Sequence, residues 1–341
     1  MKLRPSVAID LGTVNTLISV AGGDLIDEPS AIAVDRRTGA VEAVGRDADA
    51  LAEKELLDIE VIHPVRNGVI ADYQAAVAML RGLLGRGKLP RGLGKSLAVV
   101  CVAGGATALE RRSLAAAMDT VLPRTVPRFV GKPVAAAAGA GLDLAPGTGA
   151  VIVDIGGGTA EMAVLAGGHL VRTRSLRTGG NAMDAAIIRA VRTELGLLIG
   201  RDAARRLKTA LGLGDEPSQE AQTAGVDAAH RTPRVEVVSA KLVSGALEHA
   251  VAAITGAVSD LLAGVPPSLA EDVMRGRIRL AGGGAQLPGL AGRIAEAAGI
   301  PAYVVDDPTR CVIRGASAIL NGSPAAAPAR LQGQAQPAEQ A

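Results

Sequence analysis

The sequence contains very few aromatic residues. Among its 341 residues there is no tryptophan, and only Tyr73, Phe129 and Tyr303 carry an aromatic ring. Proteins that bind single-stranded nucleic acid stack bases on aromatic side chains, and this chain has almost none to offer. Its 36 Lys and Arg against 34 Asp and Glu give a net charge of +2, without the positive excess that nucleic acid attracts. We therefore expect no nucleic-acid partner.

Cysteine and long apolar runs are scarce as well. Cys101 and Cys311 lie far apart among apolar residues, which predicts buried free thiols in a reducing compartment. The four histidines lack the spacing of a metal site. We find no signal peptide at the start and no 18-residue apolar run that is free of polar groups. These patterns predict a cytoplasmic protein.

Glycine-rich turns after apolar runs are the main positive feature. They read V-A-I-D-L-G-T-V-N-T at 7–16, V-I-V-D-I-G-G-G-T-A-E at 151–161 and I-R-L-A-G-G-G-A at 278–285. Each pattern predicts a buried strand followed by a tight turn. Because glycine has no Cβ, such a turn can bring backbone N–H groups against a phosphate chain.

The first two stretches share a carboxylate at the end of the predicted strand, Asp10 and Asp154. Mg²⁺ prefers carboxylate and water oxygens and bridges to phosphates, so we predict that both residues organise Mg²⁺, directly or through its waters. Two such turns facing each other would hold a triphosphate from both sides. The residues predicted to contact the phosphates are Gly12, Thr13, Val14, Asn15, Gly156, Gly157, Gly158 and Thr159.

Five stretches together resemble the MreB/Mbl family, the bacterial actin homologues that shape rod cells. They read I-D-L-G-T-V-N-T, D-E-P-S, H-P-V-R-N-G-V-I-A-D-Y, G-A-T-A-L-E-R-R and D-I-G-G-G-T-A-E, and the resemblance covers about residues 5–320. It implies an α/β protein with the actin-like ATPase fold. In that fold two similar α/β domains, each with a mixed five-stranded sheet, surround a nucleotide cleft.

The resemblance also predicts the domain limits. Domain I would comprise 1–140 and 306–322 with an inserted subdomain at about 28–68, and domain II 145–305 with an inserted subdomain at about 182–243. The Ala/Pro/Gln-rich stretch 323–341 is expected to be disordered. Within domain II, Asn181 is a predicted helix N-cap, and the polar stretch 213–234 is predicted to be a loop or a shortened inserted subdomain.

The resemblance implies further contacts with ATP. GTP stays open, and Mg²⁺ is the expected metal. The residues expected on the adenosine side are Arg205, Arg206, Leu207, Lys208, Gly283, Gly284, Ala285 and Gln286. The family pattern Glu-x-Ile-Lys begins here with Arg205, a charge reversal that would weaken nucleotide binding unless only the helix backbone and Lys208 matter.

Lys132 is the sharpest departure from the family. In its Glu-Glu-Pro segment the Glu before Pro orients the attacking water, whereas this chain has Gly131 and Lys132. A charged lysine cannot accept the proton of a water, so we expect hydrolysis to be slow or lost. Lys132 would pair with a γ-phosphate or a neighbouring carboxylate. In the alternative, Lys132 swings to solvent and another carboxylate such as Glu161 takes the role.

The implied partners are other copies of the chain, a homologue in mixed filaments, cell-wall morphogenesis proteins and the inner membrane surface. The stretch at 86–95, R-G-K-L-P-R-G-L-G-K, carries four cations with Leu89 and Leu93. It is predicted to touch an anionic leaflet, or else to be a solvated loop.

The sequence thus predicts a filament-forming, ATP-binding cytoskeletal protein that organises cell shape, or cell-wall or spore-wall synthesis, at the inner membrane face. A nucleotide-independent scaffold with the same fold is the first alternative. A sugar kinase or heat-shock-type ATPase is the second, and it would need a sugar-facing carboxylate or a further substrate-binding domain.

Overall fold

The computed structural model describes residues 4–21, 23–52, 54, 56–86, 96–123, 125–145, 147–214 and 219–322. Residues 87–95, most of the predicted membrane-contacting stretch, and 323–341, the predicted tail, lie outside the described residues. The chain divides into two compact units. Unit 1 comprises Met1–Thr148, Leu165–Val171 and Arg310–Ala341, and unit 2 comprises Gly149–Val164 and Arg172–Thr309.

The chain before Thr148 forms ten strands and four helices among the described residues. The strands are β1 (Arg4–Leu11), β2 (Asn15–Val20), β3 (Leu25–Pro29), β4 (Ile32–Asp35), β5 (Val41–Val44), β6 (Ile59–Ile62), β7 (Val65–Arg66), β8 (Val69–Ile70), β9 (Ser96–Val102) and β10 (Thr125–Gly131). The helices are α1 (Arg46–Ala52), α2 (Tyr73–Arg86), α3 (Ala108–Val121) and α4 (Lys132–Gly139).

The rest of the described chain repeats this alternation. Its strands are β11 (Gly149–Ile155), β12 (Ala160–Ala166), β13 (His169–Leu176), β14 (Leu197–Leu198), β15 (Glu220–Asp227), β16 (Pro233–Ser239), β17 (Ile278–Ala281) and β18 (Ala302–Val304). Its α-helices are α5 (Gly180–Leu195), α6 (Arg201–Leu211), α7 (Ala240–Leu262), α8 (Pro267–Gly276), α9 (Leu290–Ala298) and α10 (Cys311–Leu320).

Two five-stranded sheets share one topology. Their strand orders are β3-β2-β1-β9-β10 and β13-β12-β11-β17-β18, so each has three consecutive strands followed by two that come later in the chain. In the first sheet β1 is antiparallel to β2 and parallel to β9. In the second, β11 is parallel to β17, which is parallel to β18. The expected α/β fold with mixed five-stranded sheets is confirmed.

Of the two alternatives for 213–234, the loop is wrong where strands form, at 220–227 and 233–234. Strands β15 and β16 pair antiparallel there and form a three-stranded sheet with β14. Of the side chains in β15 and β16, only Thr223, Asp227 and Val238 are buried, and Val235 is 61% exposed. The hairpin buries little apolar surface, so its sequence carries only a weak strand signal, the alternation R-V-E-V at 234–237.

Each unit has its own apolar core. The core of unit 1 lies around β1, β9 and α2, and that of unit 2 around β11, α5 and α7. Cys101 and Cys311 are both buried and are not joined in a disulfide.

Helix α7 is, within the described chain, the one helix long and apolar enough to cross a membrane. Its residues Leu247, Val251, Ile254 and Val258 belong to the core of unit 2. Since core packing accounts for these apolar residues, length and composition alone are weak grounds for a membrane span.

Two glycines let helices α4 and α10 cross at close range within unit 1. A Cβ on Gly139 would overlap the carbonyl oxygen of Cys311, and a Cβ on Gly315 would overlap that of Ala135. Only the hydrogen of glycine fits at either place. The crossing therefore fixes the position of α4, whose first residue is Lys132.

We expect Gly315→Ala to lower the free energy of unfolding by about 1–3 kcal/mol or more, because its methyl group meets backbone that cannot move aside. Gly85→Ala is the matched control. Gly85 is exposed near the end of α2, and a Cβ there has no atom within 4 Å. Its effect should stay within about 1 kcal/mol. Denaturant unfolding of the full chain measures the free energy of unfolding of both variants. Equal losses in Gly315→Ala and Gly85→Ala would contradict the close crossing of α4 and α10.

Candidate functional site

The first predicted phosphate turn joins β1 and β2 in unit 1. Asp10, at the end of β1, is 7% exposed. The N–H of Gly12 donates to the carbonyl of Asn15 at 3.1 Å, and a Cβ on Gly12 would overlap that same oxygen. Asn15 Nδ2 donates to Asp27 Oδ1 at 3.0 Å. The tightness of the turn therefore requires glycine at its first position.

Two other stretches that resemble the MreB/Mbl family form hydrogen bonds with this turn. From D-E-P-S, the N–H of Ser30 donates to Val14 O and its hydroxyl to Gly12 O, both at 2.7 Å. From H-P-V-R-N-G, the N–H of Gly68 donates to Thr13 Oγ1 at 2.9 Å. Both stretches therefore help to hold the first turn in its conformation.

Lys132 lies against Asp10 in unit 1. Strand β10 runs without a loop into α4, and parallel β1, β9 and β10 bring their carboxyl ends to one edge of the sheet. Lys132 Nζ lies 2.9 Å from Asp10 Oδ1 and 3.4 Å from Leu11 O, to which it donates. Lys132 is only 8% exposed. Of the two partners expected for this lysine, the structure shows the carboxylate.

The Lys132–Asp10 ion pair occupies the carboxylate at which Mg²⁺ was expected. The ammonium group and a divalent cation would compete for the same Oδ1, and two positive charges at that distance repel each other strongly in a buried site. The arrangement therefore does not fit a Mg²⁺ ion held directly by this oxygen.

The second predicted turn, between β11 and β12 in unit 2, repeats the first. The N–H of Gly156 donates to the carbonyl of Thr159 at 2.8 Å, which is the bond that Gly12 makes with Asn15. Asp154, at the corresponding place before the turn, is 8% exposed. The same backbone device therefore follows the same strand of both sheets.

Helix α5 begins against this second turn. The N–H of Gly180 donates to Gly156 O at 3.0 Å, and that of Asn181 to Gly157 O at 2.8 Å. The helix is capped by Gly179, where a Cβ would lie 2.5 Å from Gly156 O, so the predicted cap at Asn181 is wrong. The start of a 16-residue helix carries partial positive charge and favours an anion beside it.

A buried ion pair joins α6 to the start of α5. Lys208 Nζ lies 2.5 Å from Asp184 Oδ1 and donates to Gly180 O at 3.1 Å. Sequence reasoning identified Lys208 but missed Asp184, which is 4% exposed. The available signal was an acidic residue on the apolar stripe that Met183 and Ile187 form along α5.

Of the other residues predicted on the adenosine side, some have exposed side chains and some have buried ones. Arg205 is exposed and pairs with Asp202 of its own helix at 3.5 Å, and Arg206 is exposed too. Leu207 and Ala285 are 2% and 1% exposed in the core of unit 2. Their side chains serve packing, so only their backbone is suited to meet a ligand.

The third glycine turn packs on the second. Gly282 has φ +81°, its N–H donates to Pro308 O at 2.8 Å, and a Cβ there would lie 2.5 Å from Asp154 Oδ1. A short 3-10 helix, Gly283–Gln286, follows. The structure thus brings together Asp154, the second and third turns and, through α5, Lys208.

The last predicted site residue, Glu161, is buried in unit 2. Glu161 lies in β12 and is 1% exposed. Within the described ranges, no group of three or more His, Cys, Asp or Glu side chains is placed to hold a metal ion.

Comparisons with known proteins agree with this architecture. A family model described as MreB/Mbl protein matches residues 4–326. Cell shape-determining protein MreB of Escherichia coli (strain K12) is 39% identical over 318 residues, which is 91% of each chain. Cell shape-determining protein Mbl of Bacillus subtilis (strain 168) is 33% identical over 318 residues, or 92% of this chain and 95% of that one.

Solved structures show the same likeness. MreB 5 of Spiroplasma citri bound to AMPPNP superimposes with a TM-score of 0.85 at 31% identity, covering 93% of this chain and 96% of that chain. A MamK double helical filament gives a TM-score of 0.78 at 21% identity, covering 94% of this chain and 100% of that one, which is a likeness of fold. With its repeated sheets and turns, the chain has the actin-like fold and belongs to the MreB/Mbl family.

Proposed function

We propose that this protein binds ATP and assembles with copies of itself into cytoplasmic filaments that organise cell shape or cell-wall synthesis at the inner membrane face. Its relatives are named cell shape-determining proteins. The observation that carries the proposal is the turn that occurs twice, after Asp10 and after Asp154, with the same glycine bond. Related MreB5 structures are described as bound to AMPPNP and to ADP.

The nucleotide phosphates are the ligand that the two turns suit best. In unit 2 the second turn lies against the start of α5, where the helix dipole places partial positive charge that favours a phosphate. Any Mg²⁺ that accompanies the nucleotide would be held through Asp154, because Lys132 already pairs with Asp10. GTP is the second nucleotide to test.

Hydrolysis of the bound nucleotide is slow in this proposal. Lys132 stands where the family places the glutamate that orients water, and its ammonium is held by Asp10. It is 8% exposed, which speaks against the alternative in which it swings to solvent. Glu161 has little access to water at 1% exposure, which speaks against its substitution for that glutamate.

Membrane contact through the stretch 86–95 is part of the same proposal. Its first residue, Arg86, donates to Asp47 Oδ2 at 2.8 Å and to Val44 O at 3.1 Å. That cation therefore serves the fold, and Lys88, Arg91 and Lys95 are left as the cations for anionic lipid.

We expect replacement of Leu89 and Leu93 by serine to weaken binding to anionic vesicles by about tenfold per leucine, because each loses its buried apolar area. Vesicle co-sedimentation measures this. Serine in place of Leu57, which is 92% exposed elsewhere in unit 1, is the control. Unchanged binding of the doubly substituted chain would favour the solvated loop.

Assembly tests the proposed function. We expect the sedimenting fraction of the full chain to rise with ATP and Mg²⁺, with filaments visible by electron microscopy. Gly12→Ala should abolish this response because its methyl group overlaps Asn15 O, whereas Gly292→Ala in α9, with open space around it, should not. No filaments with any nucleotide would contradict the proposal, and equal assembly with and without nucleotide would favour the scaffold.

A further inference from the structure

The carboxylate of Asp10 needs a positive charge beside it. It is 7% exposed, and an ionised group with so little water is costly unless it is paired. In a nucleotide site with this carboxylate, a divalent cation is the ordinary source of that charge. In this chain the charge comes from Lys132, whose Nζ lies 2.9 Å from Asp10 Oδ1.

The start of α4 is an unfavourable position for a lysine. Lys132 is the first residue of the helix, where the helix dipole disfavours a cation. It is also 8% exposed, so it has given up most of its hydration. The ion pair with Asp10 and the bond to Leu11 O both help to offset these costs.

The lysine is also held in place by packing. Strand β10 leads directly into α4, and α4 is fixed by the close crossing with α10 at Gly139 and Gly315. The ammonium group therefore stays at the carboxyl end of β1, next to the turn that begins at Gly12. A positive charge so placed attracts phosphate oxygens without any metal.

We propose that Lys132 is a built-in counter-ion that replaces the divalent cation at Asp10, so that this protein binds nucleotide with little dependence on Mg²⁺. The inference rests on the proposed nucleotide binding and deepens it. The ligand is then a nucleoside triphosphate anion, with or without its metal.

The test compares ATP affinity of the full chain in excess Mg²⁺ and in excess EDTA, by calorimetry. We expect the two dissociation constants to agree within about threefold. Weakening in EDTA by about thirtyfold or more would overturn the inference while leaving nucleotide binding intact. Absence of binding in both media would overturn the proposed function and this inference with it.

Substitutions at Lys132 separate a counter-ion from a merely structural residue. Lys132→Arg keeps the positive charge, so its ATP dissociation constant should also depend little on Mg²⁺. Lys132→Glu places a second carboxylate beside Asp10 and should make ATP binding depend on Mg²⁺ by about tenfold or more. Thermal unfolding would check that each variant is folded. If a variant does not fold, the comparison of ATP affinity in Mg²⁺ and in EDTA on the natural chain still tests the inference. Equal Mg²⁺ dependence of both variants would contradict the assignment.

Discussion

Lys132→Glu is expected to raise the rate of ATP hydrolysis by about 10²–10⁴-fold over the natural chain, measured as phosphate release at saturating ATP and Mg²⁺. A carboxylate at the start of α4 can accept the proton of an attacking water, which the ammonium group cannot. The same change breaks the ion pair with Asp10 and frees that carboxylate for Mg²⁺.

Lys132→Met is the matched control for this prediction. It removes the ammonium group but supplies no proton acceptor, so we expect no comparable gain in phosphate release. If Lys132→Glu binds ATP with Mg²⁺ and yet releases phosphate no faster than the natural chain, Lys132 is not the cause of slow hydrolysis.

Lys208→Met is expected to lower the free energy of unfolding by about 3–5 kcal/mol. Its partner Asp184, 4% exposed, would be left as a buried carboxylate without its cation, and Gly180 O would lose a donor. Because this pair ties α6 to the start of α5, the loss should also weaken phosphate binding at the second turn.

Arg205→Met on the same helix is the control, because the Arg205–Asp202 pair is about half exposed on both sides and contributes under about 1 kcal/mol. Removing both buried charges, as Lys208→Met with Asp184→Leu, should recover much of the loss. Denaturant unfolding of the variants measures these differences. If Lys208→Met and Arg205→Met lower the free energy of unfolding by similar amounts, burial of the Lys208–Asp184 pair does not increase its contribution to stability.

The two turns could be predicted because the residues that form them are neighbours in the sequence. Gly12 and Gly156 make the bonds that their turns require, so a short stretch of sequence carries the information. The two similar sheets, in contrast, were implied by the resemblance to the MreB/Mbl family.

Other features depend on distant parts of the chain. The partner of Lys132 follows from the order of β1, β9 and β10, which no local pattern contains. Helix α5 begins two residues earlier than a cap at Asn181 implies, where the second turn accepts the N–H groups of Gly180 and Asn181. Strands β15 and β16 were missed because few of their side chains are buried, so the hydrophobic signal of the hairpin is weak.

Calorimetric titration of ATP with Mg²⁺ into the nucleotide-free protein, with phosphate release followed in the same sample, tests the central claim most directly. That claim is a nucleotide-binding family member whose hydrolysis is suppressed by Lys132. We predict saturable binding of ATP with negligible release of phosphate. Release as fast as that of Lys132→Glu would contradict the role of Lys132, and no binding at all would leave a scaffold that keeps the fold without the nucleotide.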